Sequence, residues 1–199
     1  LDELARDLTV SGLNFYKSFT LDLNGFTLKQ EEGLNGNGGT CHVIDSSEVK
    51  TGKIVGEYYI FNGKSKTTSM ILDGVSCEAL YIQGQSVGDL YVINDTKLSG
   101  VTAIGHVMGS GVTYVRGGTW TFAEGTDGKS VMEGTVRTSQ YTIEDKGNNT
   151  FSVTVNDLGK AMRAFESLDA SAYTKASYAA AKAVYDEIDG SADEDIQGD

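Results

Sequence analysis

Along the first two thirds of the chain, apolar and polar positions fall into one recurring phrase: a short apolar run that stops at Asn, Asp or Gly. The copies read Leu21-Asp22-Leu23-Asn24-Gly25, Val43-Ile44-Asp45-Ser46, Met70-Ile71-Leu72-Asp73-Gly74 and Tyr91-Val92-Ile93-Asn94-Asp95. A weaker fifth copy is Tyr114-Val115-Arg116-Gly117-Gly118, and the intervals between stops are 21, 28, 21 and 23 residues. A period in this range marks a solenoid, whose repeats bury an apolar face only by stacking on one another. Two or three short strands fit in one repeat; Phe19–Leu23 and Phe26–Lys29 flank Asn24-Gly25, for example. Short strands joined by tight turns favour a mainly β fold, a parallel β-helix, over a sandwich, which wants longer alternating strands. The general preference for right-handed crossovers makes the expected coil right-handed, with about six rungs by period.

Other elements follow from the same patterning. Residues 1–7 read as a helical turn covering the open end of the coil, where strand edges would otherwise be bare. Loops longer than a rung turn are expected at Glu31–Gly39 and Tyr58–Lys66, and Ala123–Gln140 reads as a loop or a loosened rung. Tyr141–Asp145, turning at Gly147-Asn148-Asn149 into Thr150–Val155, predicts a hairpin. Beyond it, Leu158, Ala161, Met162, Phe165 and Leu168 keep helical spacing behind a capping Asn156. Tyr178, Ala181, Val184, Tyr185 and Ile188 trace a second stripe after Thr174, and the run Asp193-Glu194-Asp195 reads as solvated. Of 25 glycines only Gly159, Gly190 and Gly198 lie beyond residue 155, where alanines crowd instead. The expected division is a β-helix domain over residues 1–155 and a helical segment over 156–199.

Charge narrows the partners. The formal net charge is −12, and no basic stripe appears that could displace counterions from nucleic acid or an anionic membrane. No apolar stretch approaches the roughly 20 residues that span a bilayer, so no membrane insertion is expected. The chain carries no signal peptide or initiating Met and reads as a mature or trimmed form. Proline is absent, which leaves the tight turns mainly to Gly, Asn and Asp. Cys41 and Cys77 lack any CxxC or paired His, so they read as small buried hydrophobes rather than metal ligands. An oxidising compartment would permit a bridge, but one lies four residues before its stop and the other four after, so they share no column.

Leu168–Tyr178, LDASAYTKASY, resembles the opening of a FIVAR module, a small helical spacer in bacterial, especially Gram-positive, surface proteins. The segment stops short of that module's third helix. Leu21–Leu28 (LDLNGFTL) and Val43–Gly56 (VIDSSEVKTGKIVG) are similar to rungs of right-handed β-helix domains in large cell-surface proteins of gut-type bacteria. Tyr141–Val155 is similar to the strand pair that closes such domains. These resemblances imply an extracellular, cell-surface location and an adhesive or stalk role; a monomer is expected.

The candidate chemistry has bland counterparts. Asn24, Asp45, Asp73 and Asn94 offer hard oxygens to Ca²⁺, but two acids are few for a calcium site, and a polar ladder along a turn suits them better. A polysaccharide lyase or glycoside hydrolase of the β-helix kind is the alternative function, and it needs carboxylates converging on one face. Asp73, Glu78, Asp89 and Asp95 are the candidates on the central rungs, with Arg116, which stands where Leu23, Ile44, Leu72 and Ile93 stand in the other copies. No tight acid cluster accompanies them, and no enzyme is expected. Gly84-Gln85-Ser86-Val87-Gly88 fits the GxSxG elbow, yet strand-like runs flank it on both sides where the elbow needs a following helix. His42 and His106 each stand alone in an apolar strand, as a candidate base or ligand or as a rung-face imidazole. Gly33–Gly39 lacks the Lys-Ser/Thr of a phosphate loop. The stronger candidate is aromatic. Tyr91 and Tyr114 stand three residues before their stops, and Tyr81, Trp120 and Phe122, with the Tyr58-Tyr59-Phe61 loop, could join them. Exposed rings on a β-face would suit host or dietary glycans or cell-wall polysaccharide, whereas inward rings would be core. No metal or cofactor is expected.

Overall fold

A computed structural model describes residues 2–105 and 108–196, with side chains through residue 190. His106 and the Asp193–Asp195 acidic run therefore lie outside the described side chains. The chain coils into a parallel β-solenoid of about five turns. The first turn holds β1 (Asp2–Glu3), β2 (Leu8–Val10) and β3 (Leu13–Phe15), and the second β4 (Phe19–Asp22), β5 (Thr27–Gln30) and β6 (Leu34–Gly36). The third holds β7 (Gly39–Ile44), β8 (Lys53–Gly56) and β9 (Tyr59–Gly63), and the fourth β10 (Thr68–Asp73), β11 (Ser76–Glu78) and β12 (Tyr81–Gln83). The fifth has β13 (Asp89–Ile93) and β14 (Lys97–Val101), with one bridge between Tyr81 and Ala103 on its third side among the described residues. A sixth rung starts with β15 (Thr113–Val115) and β16 (Thr119–Phe122) and stops there. Helix α1 (Gly128–Glu133), the hairpin β17 (Tyr141–Gly147) and β18 (Thr150–Val155), then α2 (Asp157–Glu166) and α3 (Lys175–Ile196) complete the chain.

Equivalent strands stack into three sheets. The first runs β1-β4-β7-β10-β13-β15, the third is β3, β6, β9 and β12, and the second ends in the hairpin, order β17-β18-β16-β14-β11-β8-β5-β2. Strand alternation sends alternate columns of each sheet inward. Leu21, Val43, Leu72, Val92 and Val115 form such a column in the first sheet, all buried. Leu28, Ile54, Cys77, Leu98 and Trp120 form one in the second. Stacking identical apolar positions rung on rung gives every interior side chain a neighbour above and below, and that removes it from water.

Several sequence expectations change. Residues 1–7 hold a strand rather than a helical turn, because Asp2 and Glu3 pair with Leu21 and Asp22. The expected loops Glu31–Gly39 and Tyr58–Lys66 contain β6 and β9, whose Leu34, Ile60 and Phe61 are fully buried. Their glycines make room: a Cβ at Gly33 would stand 2.7 Å from the Tyr59 ring, and one at Gly36 would stand 2.1 Å from Thr68 Cγ2. Within Ala123–Gln140 lies α1, its first turn capped by Asp127. The hairpin forms as expected, with Asn148 and Asn149 both left-handed at φ 51° and 55°. Asn156 caps α2, accepting from Gly159 N at 2.9 Å. The α2 stripe turns out differently, since Met162 and Gly159 are buried while Leu158 and Leu168 are exposed.

Candidate functional site

The stop residues do not form one column. Asp45 is level with Leu23, and Asn94 with Gly74, while Asn24 falls one residue later and Asp73 one earlier. Asp45 braces its own turn and also reaches the rung before. Asp45 accepts from Gly25 N (2.9 Å) in the rung before, and from Ser47 N (3.1 Å), Ser47 Oγ (2.7 Å) and Gly52 N (2.6 Å) in its own. Asp22 Oδ1 accepts from Asn24 N and Ser46 N, both at 2.9 Å. Burial pushes both carboxyls up, but hydrogen bonds from Ser46 and Asn24 to Asp22, and from Ser47, Gly52 and Gly25 to Asp45, leave each below the usual range. Such donors are what a polar ladder supplies, and they take up the oxygens a cation would need.

The acids considered for hydrolysis are dispersed. Asp73 Oδ2 lies 3.0 Å from His42 Nε2, and its Oδ1 accepts from Asn94 Nδ2 at 2.6 Å. Glu78 pairs with Lys53 on the second sheet, Asp89 accepts from Val112 N at 3.0 Å, and Asp95 is exposed at a turn. Arg116 continues the outward column of Ile44, Asp73 and Ile93, so Leu23 and Leu72 are not its equivalents. Ser86 is fully buried between two strands; its Oγ donates to Gly88 O at 2.8 Å and accepts from Gly63 N at 3.1 Å. That hydroxyl braces a corner. Cys41 and Cys77 are free and buried on different sheets, and burial raises both thiols to about 12.

The four aromatic candidates do not share a face. Trp120 is fully buried, because it occupies the inward column of the second sheet and donates Nε1–H to Gly117 O at 3.1 Å; the expectation of an exposed ring there is overturned. Tyr81 lies on the third sheet beside Tyr59. Tyr91 and Tyr114 are register partners on the outside of the first sheet, stacked at 4.7 Å with planes 9° apart. Arg116 Cζ is 5.3 Å and 5.5 Å from the two centroids, so it flanks the pair.

Around this pair the C-terminal helices dock. Arg116 Nη1 donates to Glu166 Oε2 at 3.3 Å, and Tyr185 O–H donates to Glu166 Oε1 at 2.7 Å. Arg163 Nη2 donates to Arg116 O (2.7 Å) and Tyr141 Oη (2.8 Å), with its guanidinium over the Tyr141 ring. Phe165 stacks on Tyr178 and Tyr185, and Arg137 bonds Asp189 at 2.7 Å while facing Tyr114 at 6.0 Å. Between rung and helices remains a cavity of about 480 Å³, lined by Gly111–Arg116 on one side and by Arg137, Gln140, Tyr141, Glu166 and Asp189 on others. Sequence reasoning missed Arg137, Tyr141, Arg163, Glu166 and Asp189, which belong to four separate segments and form no local motif. Fold and site together define a parallel β-solenoid closed by a hairpin, with a helical segment docked on its last rung. Comparison with protein-family models, curated proteins and solved structures gives no match.

Proposed function

We propose that this chain is a non-catalytic domain of an extracellular bacterial surface protein, acting as a rigid spacer with an adhesive role at one end. The observation that carries the reading is the fate of the polar columns: Asp22, Asp45 and Thr96 bind backbone groups of adjoining rungs instead of facing a groove. A stack tied this way transmits length and orientation, which is what a stalk requires. The sequence resemblance to surface-protein rungs and to a FIVAR opening supports the same assignment. No helix among the described residues is long and apolar enough to cross a membrane, which fits a segment held away from one.

Glycan binding is the second reading, favoured by the outward Tyr91–Tyr114 pair beside Arg116 and Glu166. Each ring already gives one face to the other, so a sugar would meet ring edges and charged groups more than a flat platform. The deciding experiment is a glycan-array screen of the chain beside a Tyr91→Ala/Tyr114→Ala pair, with a reducing-end assay on acidic and neutral polysaccharides. The expected result is no released ends and no binding that depends on the two rings. Ring-dependent retention would put the glycan reading first; released ends would establish the enzyme alternative.

A further inference from the structure

The last strand of the first sheet is left with one bare edge. β15 pairs with β13 through Val112, Tyr114 and Arg116: Leu90 N donates to Val112 O and Arg116 N to Val92 O, both at 2.9 Å. In a parallel ladder alternate residues turn their N–H and C=O the other way, so those of Thr113 and Val115 point away from β13. No strand among the described residues pairs with that side. The cavity lies there, for six consecutive residues, Gly111–Arg116, line it, as the edge of a strand does.

We propose that this edge is a docking site for an extended peptide segment of a partner protein, added as a further strand of the first sheet. Main-chain donors and acceptors two residues apart are matched by the alternating groups of an extended backbone. A sugar has no such repeat. The molecule makes the same kind of addition at the neighbouring edge, where β18 lies antiparallel on β16 with Trp120 opposite Phe151. The second sheet is closed by that strand and the first is open to the cavity, whose volume of about 480 Å³ falls in the range of binding sites. Among the described lining residues the charges balance, Arg116 against Glu166 and Arg137 against Asp189, so an internal segment without a charged terminus fits. The Tyr91–Tyr114 spacing of 4.7 Å equals the strand spacing. This site is separate from the spacer reading.

The probe is fluorescein-labelled acetyl-Thr-Val-Tyr-Val-Thr-amide, followed by fluorescence anisotropy with the whole chain. Two further versions carry N-methyl groups, one on both valines and the other on the tyrosine and the last threonine. Strand addition predicts that one methylated peptide loses at least tenfold in affinity while the other binds nearly as the parent, since only alternate amides face β15. Val115→Pro removes an N–H turned to the cavity and none used by β13; in chains that keep the wild-type circular dichroism it should weaken the parent peptide tenfold or more, with an unfolding midpoint lowered by the loss of Val115 from the buried column. If that variant does not fold, the methylated pair decides alone. Equal binding of both methylated peptides, absence of parent binding, or displacement of the parent by a neutral oligosaccharide overturns the proposal.

Discussion

Asp45 shows at the scale of one residue why the repeat stops where it does. The residue is 5% exposed, and its carboxylate accepts three backbone N–H groups and one hydroxyl, one of the N–H groups from the rung before. Asp45→Ala would leave those N–H groups without partners, at a cost of about 3 kcal/mol, whereas Asp45→Asn keeps one acceptor oxygen and should cost about 1 kcal/mol; urea unfolding at neutral pH measures both. The pH dependence has a definite sign. Asp22 and Asp45 titrate below the ordinary carboxylate range, so the unfolded chain binds protons first as pH falls. Their stabilisation is complete above the unfolded value near pH 4 and drains away below it. The wild type should therefore lose more stability between pH 5 and pH 3 than Asp45→Asn does, and equal losses would assign the acid sensitivity to other carboxylates. The sequence made Asp45 legible as a turn residue through its place after Val43-Ile44. It did not reveal that Asn24 and Asp73 are each one step out of its column, because turns of unequal length shift the stop against the strand register.

Among the elements, the helical segment is held to the solenoid by side chains rather than by strand pairing. Arg163 is the central tie, reaching from α2 to the Arg116 carbonyl and the Tyr141 hydroxyl while covering the Tyr141 ring. Hydrogen bonds from a charged donor of this kind are worth about 2 kcal/mol, and most of α3 is solvent-exposed. Arg163→Ala should thus release the helices without unfolding the rungs. Hydrogen exchange read by mass spectrometry should speed up over residues 157–190 and stay slow over β4 to β14, while matching acceleration in both would show that the helices and rungs open as one unit. Element legibility followed the same physics. The hairpin and both helices could be read because Asn148-Asn149 and the capping Asn156 are local signals. The third sheet could not, because β6 and β9 sit among glycines that serve the packing of Tyr59, Thr68 and Phe15 and so imitate loops. Trp120 misled for the converse reason: its inward direction depends on the Leu98 register across the rung, which no single repeat states.

For the whole molecule the question is whether the turns stand or fall together. Each rung buries its interior only against its neighbours, and the stability of such a stack is a sum of rung and interface terms. The two cysteines can report on this directly. Cys41 sits on β7 between Phe19 and Met70, and Cys77 on β11 between Ile54 and Leu98, in successive turns and on different sheets. Both thiols are buried and raised to about 12, so the folded chain offers almost no thiolate to a disulfide reagent at neutral pH. Labelling must then wait for opening, and its rate measures the free energy of the smallest opening that exposes each thiol. The apolar columns of the first two sheets run unbroken from Leu21 to Val115 and from Leu28 to Trp120, while the third sheet sets the buried Gln83 in line with Leu34 and Phe61. Cys41 and Cys77 should accordingly label at the same rate, with the urea dependence of global unfolding, in single-cysteine Cys41→Ala and Cys77→Ala chains. A Cys41 that labels faster, with a shallower urea slope, would mean that the rungs nearer the first turn peel away before the end closed by the hairpin.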